Sequence, residues 1–142
     1  MQREEFETRI RALLPGASET ALDHMASYAE ELERETEECA RDLYDAFYVE
    51  LALVQRDYGA EIAGKLFDYG EHFTFNFFEL RGAARLLANG WSLEQVEAYT
   101  EETGCDASME EAAESRSALQ AFQNGNPNFL EVPEPEMGSE MG

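Results

Sequence analysis

The feature that most constrains the fold is a long stretch, from Ser18 to Gly59, with no glycine or proline between its ends. Apolar residues recur through it at steps of three and four, the spacing of a helix that lies on a core. They are Met25, Ala29, Leu32, Cys39, Leu43, Phe47, Leu51 and Val54. The stretch predicts one long helix, a rod of roughly 60 Å at helical rise. A break near 45–48 stays open, since no residue marks one.

Capping residues mark the other helix boundaries. A short amphipathic helix is expected over 4–14, followed by an N-cap at Ser18. Two later serines each have Gln or Glu three residues on, the pattern of a capping box that begins a helix. A glycine that follows a helical pattern can end a helix in the left-handed conformation. The boundaries marked in these ways are Pro15-Gly16, Asn89-Gly90, Ser92 with Gln95, Thr103-Gly104, Ser108 with Glu111, and a last helix end near Gln123.

Residues 60–88 are ambiguous. Phe73, Phe75 and Phe77 alternate with polar residues, which is typical of a strand. The wider apolar spacing is helical and continues into strong helix formers, so we favour a helix, weakened or bent by Gly64 and Gly70.

The predicted fold class is therefore all-α: a compact bundle of five to six helices including one long helix, with a flexible C-terminal tail. Residues 1–123 form a single helical domain, and the proline- and glutamate-containing residues 124–142 form the tail. Cys39 and Cys105 have no metal or redox spacing. We expect two reduced cysteines at apolar positions, although one disulfide is conceivable.

The acidic balance excludes several classes of function. The chain has 31 acidic and 10 basic residues, a formal charge of −21. That charge opposes contacts with nucleic-acid phosphates and with anionic lipid headgroups, so we expect no direct nucleic-acid or membrane binding. No apolar run is long enough to span a bilayer, and the first residues are charged. The protein is expected to be cytoplasmic.

No sequence motif for catalysis, a metal or a cofactor is present. The residues three before His24 and His72 are Ala21 and Tyr69, so the Glu-x-x-His pairs of di-iron bundles are absent. Calcium loops, zinc-protease motifs, nucleophile elbows and phosphate-binding glycine loops are also absent from the sequence. We expect a protein that is not an enzyme and that needs no cofactor or metal.

Residues 84–104, with the run Leu86-Leu87-Ala88-Asn89-Gly90-Trp91-Ser92-Leu93-Glu94, resemble the turn of many bacterial helix-turn-helix segments. That resemblance implies a following helix that reads bases in the major groove with Arg, Lys, Asn or Gln. Here the following helix offers Glu110, Glu111 and Glu114, which phosphates would repel. We therefore interpret the segment as a structural helix pair.

Two lines of carboxylates are the candidate binding residues. The first, on the long helix, comprises Glu31, Glu35, Glu38, Asp42 and Asp45, which step by four and three and so share one face. The second comprises Glu94, Glu97 and Glu101, in a region without Lys or Arg between Leu86 and Ser115. Their spacing along a helix is within a factor of two of the 3.4 Å between phosphates on one strand.

The leading hypothesis is an acidic, non-catalytic interaction protein that mimics nucleic acid. It would occupy a basic, nucleic-acid-binding groove of a partner protein, as the anti-restriction and anti-CRISPR inhibitors of phages and mobile elements do. The alternative is an acidic helical adaptor or chaperone that binds a protein through an apolar groove around Phe73–Phe78. Solvated acidic faces without a partner, and adaptation to salt, are the remaining interpretations.

Overall fold

The computed structural model describes residues 1–37, 39–73, 75 and 79–131, and over these residues it contains helices and no strand. The elements are α1 (Arg3–Leu13), α2 (Glu19–Glu35), α3 (Ala40–Tyr58), α4 (Ala60–Tyr69), α5 (Leu80–Ala88), α6 (Leu93–Thr103), α7 (Met109–Gln123) and a short 3-10 helix (Phe129–Glu131). The all-α prediction is confirmed. The described residues hold seven α-helices, more than the five or six that the sequence predicted.

Helix α3 lies at the centre and packs against α1, α2, α4, α5 and α7. One side of it carries Phe47, Leu51 and Val54 into the main core. The other side carries Val49 and Leu53 into a smaller core under α7. With apolar residues on two faces, α3 is buried along most of its length. Each fully buried side chain of this size stabilises the fold by about 1.5–3 kcal/mol.

The prediction of one long helix is wrong. The chain leaves the helical conformation at Thr36, whose φ is −132° and ψ −173°, and re-enters it after Cys39. The Thr36 hydroxyl donates to the Leu32 carbonyl, and the Glu33 carboxylate accepts a hydrogen bond from the Ala40 amide at 3.1 Å. These side chains cap the two helix ends, so neither glycine nor proline is required. The break lets α2 and α3 pack on each other, which a straight rod cannot do.

The single helix expected over 60–88 is also divided. Helix α4 ends at Tyr69 and α5 begins at Leu80. Between them Phe75 is buried and lies edge-on to Phe73, with the ring centroids 5.0 Å apart. Neither residue is in a helix or a strand. Phe77 and Phe78 lie outside the described residues.

The capping predictions are confirmed. The Ser18 hydroxyl accepts from the Ala21 amide, and the boxes Ser92–Gln95 and Ser108–Glu111 form with both reciprocal hydrogen bonds. Gly90 and Gly104 have positive φ, 98° and 82°, as expected of glycines that end helices.

Part of the predicted tail packs on the helical body. Phe129 and Leu130 lie against the smaller core, and Phe129 contacts the rings of Tyr48 and Phe122. Arg56 Nη1 donates to the Leu130 carbonyl oxygen at 2.8 Å. The body therefore extends beyond residue 123 to at least residue 131, whereas 132–142 lie outside the described residues.

Candidate interaction surface

The first predicted carboxylate line is divided by the break between α2 and α3. Glu31 and Glu35 are exposed on α2, and Asp42 is exposed on α3. Glu38 lies outside the described residues. The four described side chains therefore do not form the straight line on one helix that their spacing predicted.

Asp45, the last member of that line, is buried with only 7% of its surface exposed. Its Oδ1 accepts from the Met1 amino group at 2.7 Å, and its Oδ2 accepts from Gln123 Nε2 at 3.0 Å. The carboxylate thus connects α3 to the start of the chain and to the end of α7. It acts as a structural anchor and is not presented to a partner.

The second predicted line stays together on one helix. Glu94, Glu97 and Glu101 line a shallow open depression on α6, which Tyr69 and His72 also border. Glu94 and Glu101 are exposed, whereas Glu97 is partly buried. Since all three lie within one capped helix, the spacing in the sequence is also their spacing in the structure.

Glu97 is held in place by two neighbours, Tyr69 at the end of α4 and His72 in the turn that follows. The Tyr69 hydroxyl donates to Glu97 Oε1 at 2.6 Å, and His72 Nε2 lies 3.3 Å from the same oxygen. The hydrogen bond to this carboxylate, with some burial, raises the pKa of Tyr69 to about 12. Tyr69 therefore stays protonated at neutral pH and orients the central carboxylate of the line.

Two large aromatic side chains are exposed near α6, outside the depression that the carboxylates line. Trp91 is 36% exposed and Tyr99 is 40% exposed, and their rings meet edge-on with centroids 5.4 Å apart. Trp91 borders a second shallow depression, which shares Ala98 with the acidic one. Only Val96 and Thr100 of α6 are buried, so most of the helix faces outward. We call the set Trp91, Glu94, Glu97, Tyr99 and Glu101 the α6 surface.

A buried charge cluster joins α3, α5 and α7, and sequence reasoning missed it. The Arg81 side chain is 4% exposed, and its Nη2 lies 2.7 Å from Glu114 Oε1 and 3.1 Å from Asp57 Oδ2. Its Nη1 donates to the Glu111 carbonyl at 3.0 Å. Arg56 also pairs with Glu114 at 2.8 Å. The Glu111 side chain pairs with Arg85 at 2.7 Å, so two glutamates that the sequence suggested for an acidic outer face are largely buried in ion pairs.

Glu50 lies beside this cluster and is 4% exposed. Burial raises its pKa to about 7, although a hydrogen bond from Ser115 and the charge of Arg81 favour the ionised form. The one available signal was a lone acid inside the apolar run Val49-Glu50-Leu51-Ala52-Leu53-Val54. A carboxylate between apolar helix positions faces the interior once the helix is buried on both sides.

The expected apolar groove does not form from the described phenylalanines, since Phe73 and Phe75 pack into or against the core. An apolar cavity lies elsewhere, between α3 and α7, with a volume of about 360 Å³. Glu50 and Ser115 are among the residues that line it.

Within the part of the chain that the structure describes, no three His, Cys, Asp or Glu side chains are grouped to hold a metal ion. Neither Cys39 nor Cys105 forms a disulfide. None of the described helices is long and apolar enough to cross a membrane.

Comparison with known proteins gives no relative. The chain matches no family model, and neither a curated protein nor a solved structure is significantly similar to it. Functional inference therefore rests on the geometry of these residues.

Proposed function

We propose that this protein is a non-catalytic interaction protein that uses the α6 surface to occupy a basic groove of a partner, a groove that otherwise binds nucleic acid. Carboxylates take the place of phosphates, and the partner is inhibited by competition, as an anti-restriction or anti-CRISPR protein inhibits its target. The observation that carries the proposal is the row Glu94, Glu97 and Glu101 on one outward-facing helix, in a region without a basic residue from 87 to 115.

The spacing of this row suits a groove built for phosphates. Steps of three and four residues correspond to about 4.5 and 6 Å along the helix axis. Phosphates on one strand are 3.4 Å apart along the duplex axis. Because Tyr69 holds Glu97 at 2.6 Å, the central carboxylate is already oriented before a partner arrives. An oriented charge loses less side-chain entropy on binding than a mobile one.

The aromatic pair adds a second kind of contact. Trp and Tyr are enriched among the residues that contribute most to binding at protein interfaces. Trp91 and Tyr99 present apolar area further round α6 than the carboxylates, and a partner that reaches beyond the depression can exclude water there. The α6 surface thus combines charge, which speeds encounter, with apolar contact, which slows dissociation.

Two variants of equal charge test the proposal. One replaces Glu94, Glu97 and Glu101 by Gln, and the other replaces Glu31 and Glu35 by Gln and Asp42 by Asn. Each removes three carboxylates, so effects of net charge are matched. Partners are first captured from a bacterial lysate at low salt and identified, and affinity is then measured with the purified partner.

We expect the α6 variant to bind at least about tenfold more weakly. The other variant should bind close to the wild type, because both variants lose the same long-range attraction and only the α6 variant also loses direct contacts. Duplex DNA or RNA should compete with the wild-type protein for the partner. The isolated protein should give no mobility shift with nucleic acid at low salt. Equal loss of binding in both variants, or a partner that binds nucleic acid and this protein simultaneously, would show the proposal to be wrong.

A further inference from the structure

The cavity of about 360 Å³ between α3 and α7 has walls that are almost entirely apolar. Ala46 and Val49 come from α3, and Ala112 and Leu119 come from α7. The acidic group on its wall is Glu50, a residue that is 4% exposed. Arg116 borders the cavity as well, but its side chain is exposed, so water screens its charge far more than that of Glu50.

Two charged side chains line the cavity, the buried Glu50 and the exposed Arg116, and a cluster of ion pairs lies beside it. Three guanidinium groups, from Arg56, Arg81 and Arg85, form ion pairs with three carboxylates. Those carboxylates belong to Asp57, Glu111 and Glu114. Glu50 is a fourth carboxylate, and it forms no ion pair within the described residues. Glu50 accepts a hydrogen bond from Ser115, but a buried carboxylate without an ion pair is costly, so a proton or a further cation at Glu50 is favourable.

We propose that the cavity binds an aliphatic primary ammonium ion, with its hydrocarbon chain against Val49, Ala112 and Leu119 and its ammonium group at the Glu50 carboxylate. The ligand brings a positive charge into direct contact with the buried Glu50 and fills an apolar space with hydrocarbon. A neutral alcohol of the same length would fill the space without pairing Glu50. A carboxylate ligand would add a further negative charge beside Glu111 and Glu114.

The affinity should depend on pH in a defined direction. An ammonium ion binds to ionised Glu50, so below the pKa of about 7 it must displace the proton. Arg81 on α5 and Glu111, Glu114 and Ser115 on α7 face Glu50. The pKa of about 7 is the value for Glu50 with these neighbours in place. A primary alkylammonium stays charged up to about pH 10. The affinity should rise by up to about tenfold per pH unit below 7 and level off above it.

The test uses n-hexylamine, 1-hexanol and hexanoate, which share a chain length and differ in head group. Each is titrated into the full chain at pH 8 and pH 5.5, while methyl NMR signals of Val49 and Leu119 are followed. We expect hexylamine to bind at pH 8 at least about tenfold more tightly than hexanol, with the difference lost at pH 5.5. Hexanoate should bind most weakly.

Glu50→Gln should abolish the preference for hexylamine over hexanol, and it should fold, since it removes a buried charge without changing the shape. Glu110→Gln removes an exposed carboxylate from α7 and should leave the preference intact, which separates Glu50 from the general acidity of the chain. Binding of N-acetyl-lysine-N′-methylamide as tightly as hexylamine would assign the site to a lysine side chain of another protein. Binding of hexylamine alone would assign it to a free amine.

The inference is overturned if hexylamine and hexanol bind equally to the wild type, if Glu50→Gln keeps the preference for the amine, or if none of the probes shifts the Val49 and Leu119 signals. None of these outcomes depends on the α6 surface, so this inference and the proposed function fail or stand separately.

Discussion

Gly82 lies directly against the backbone of Cys105. A Cβ atom built on Gly82 would be 1.8 Å from the Cys105 carbonyl oxygen and 2.8 Å from its carbonyl carbon. Cys105 is itself buried, with its Sγ 3.6 Å from the Glu79 carbonyl oxygen. Only glycine allows the backbone of α5 to approach the α6–α7 connection this closely. This contact supports the end of α6 and hence the position of the α6 surface.

Replacement of Gly82 by Ala should therefore destabilise the fold strongly. The new methyl group would meet backbone atoms, which cannot move aside as a flexible side chain does, and a loss of about 3 kcal/mol is expected. Gly64 in α4 is the matched control, because a Cβ there meets no atom within 4 Å. Gly64→Ala should stabilise the protein by about 0.5–1 kcal/mol through helix propensity. Urea denaturation of both variants measures the two effects, and equal stabilities would contradict the close contact.

Arg81→Met should cost much more than loss of an exposed ion pair. It removes one of the two cations that pair with Asp57 and Glu114 and leaves Arg56, so a loss of about 1.5–3 kcal/mol is expected. Lys65→Met provides the comparison, since Lys65 and Glu61 are exposed and 3.7 Å apart. That change should alter the free energy of unfolding by less than about 1 kcal/mol. Thermal denaturation at pH 7 distinguishes the two, and a small effect at Arg81 would show that the cluster contributes little.

Glu50 should make the protein less stable as the pH rises. Its folded-state pKa of about 7 lies above the unfolded value, so the folded protein binds more protons between the two values. The contribution of this group is fully present below the unfolded pKa of about 4.3 and is lost as the pH rises through about 7. Glu50→Gln should thus gain stability over the wild type, by about 3 kcal/mol, between pH 4 and pH 8.

Denaturation of the wild type and of Glu50→Gln across this pH range isolates the group, because the shifts of the other carboxylates cancel in the difference. Glu110→Gln controls for the change in net charge. A difference that does not vary with pH would contradict the raised pKa.

The two cysteines should differ in reactivity. Hydrogen bonds from the Arg41 side chain and from the backbone amides that begin α3 lower the pKa of Cys39. Burial raises the pKa of Cys105, whose Sγ lies 3.1 Å from Thr100 Oγ1. Because the thiolate is the reactive form, a disulfide reagent at neutral pH should modify Cys39 quickly and Cys105 only on unfolding. Arg41→Gln should slow the reaction of Cys39 and leave Cys105 unchanged, as mass spectrometry of the modified peptides would show.

Predictions based on residues close together in sequence were the accurate ones. The boxes at Ser92 and Ser108 involve side chains and amides three residues apart, so the motif contains both partners. Glu94, Glu97 and Glu101 kept their predicted arrangement because they lie inside one capped helix. The break after Glu35 was missed because no glycine or proline causes it. It depends instead on hydrogen bonds from Glu33 and Thr36 and on the packing of α2 against α3.

The sequence by itself determined the helical class, the capped boundaries and the net charge of −21, since these are local or additive properties. Only the tertiary structure decided which carboxylates remain on the surface. Asp45 and Glu50 lie on the same helix and both are buried, yet one meets the Met1 amino group and the other an apolar cavity. Desolvation and ion pairing depend on groups tens of residues away along the chain, such as Arg81 for Glu114. For that reason only the packing of α3, α5 and α7 separates structural carboxylates from those available to a partner.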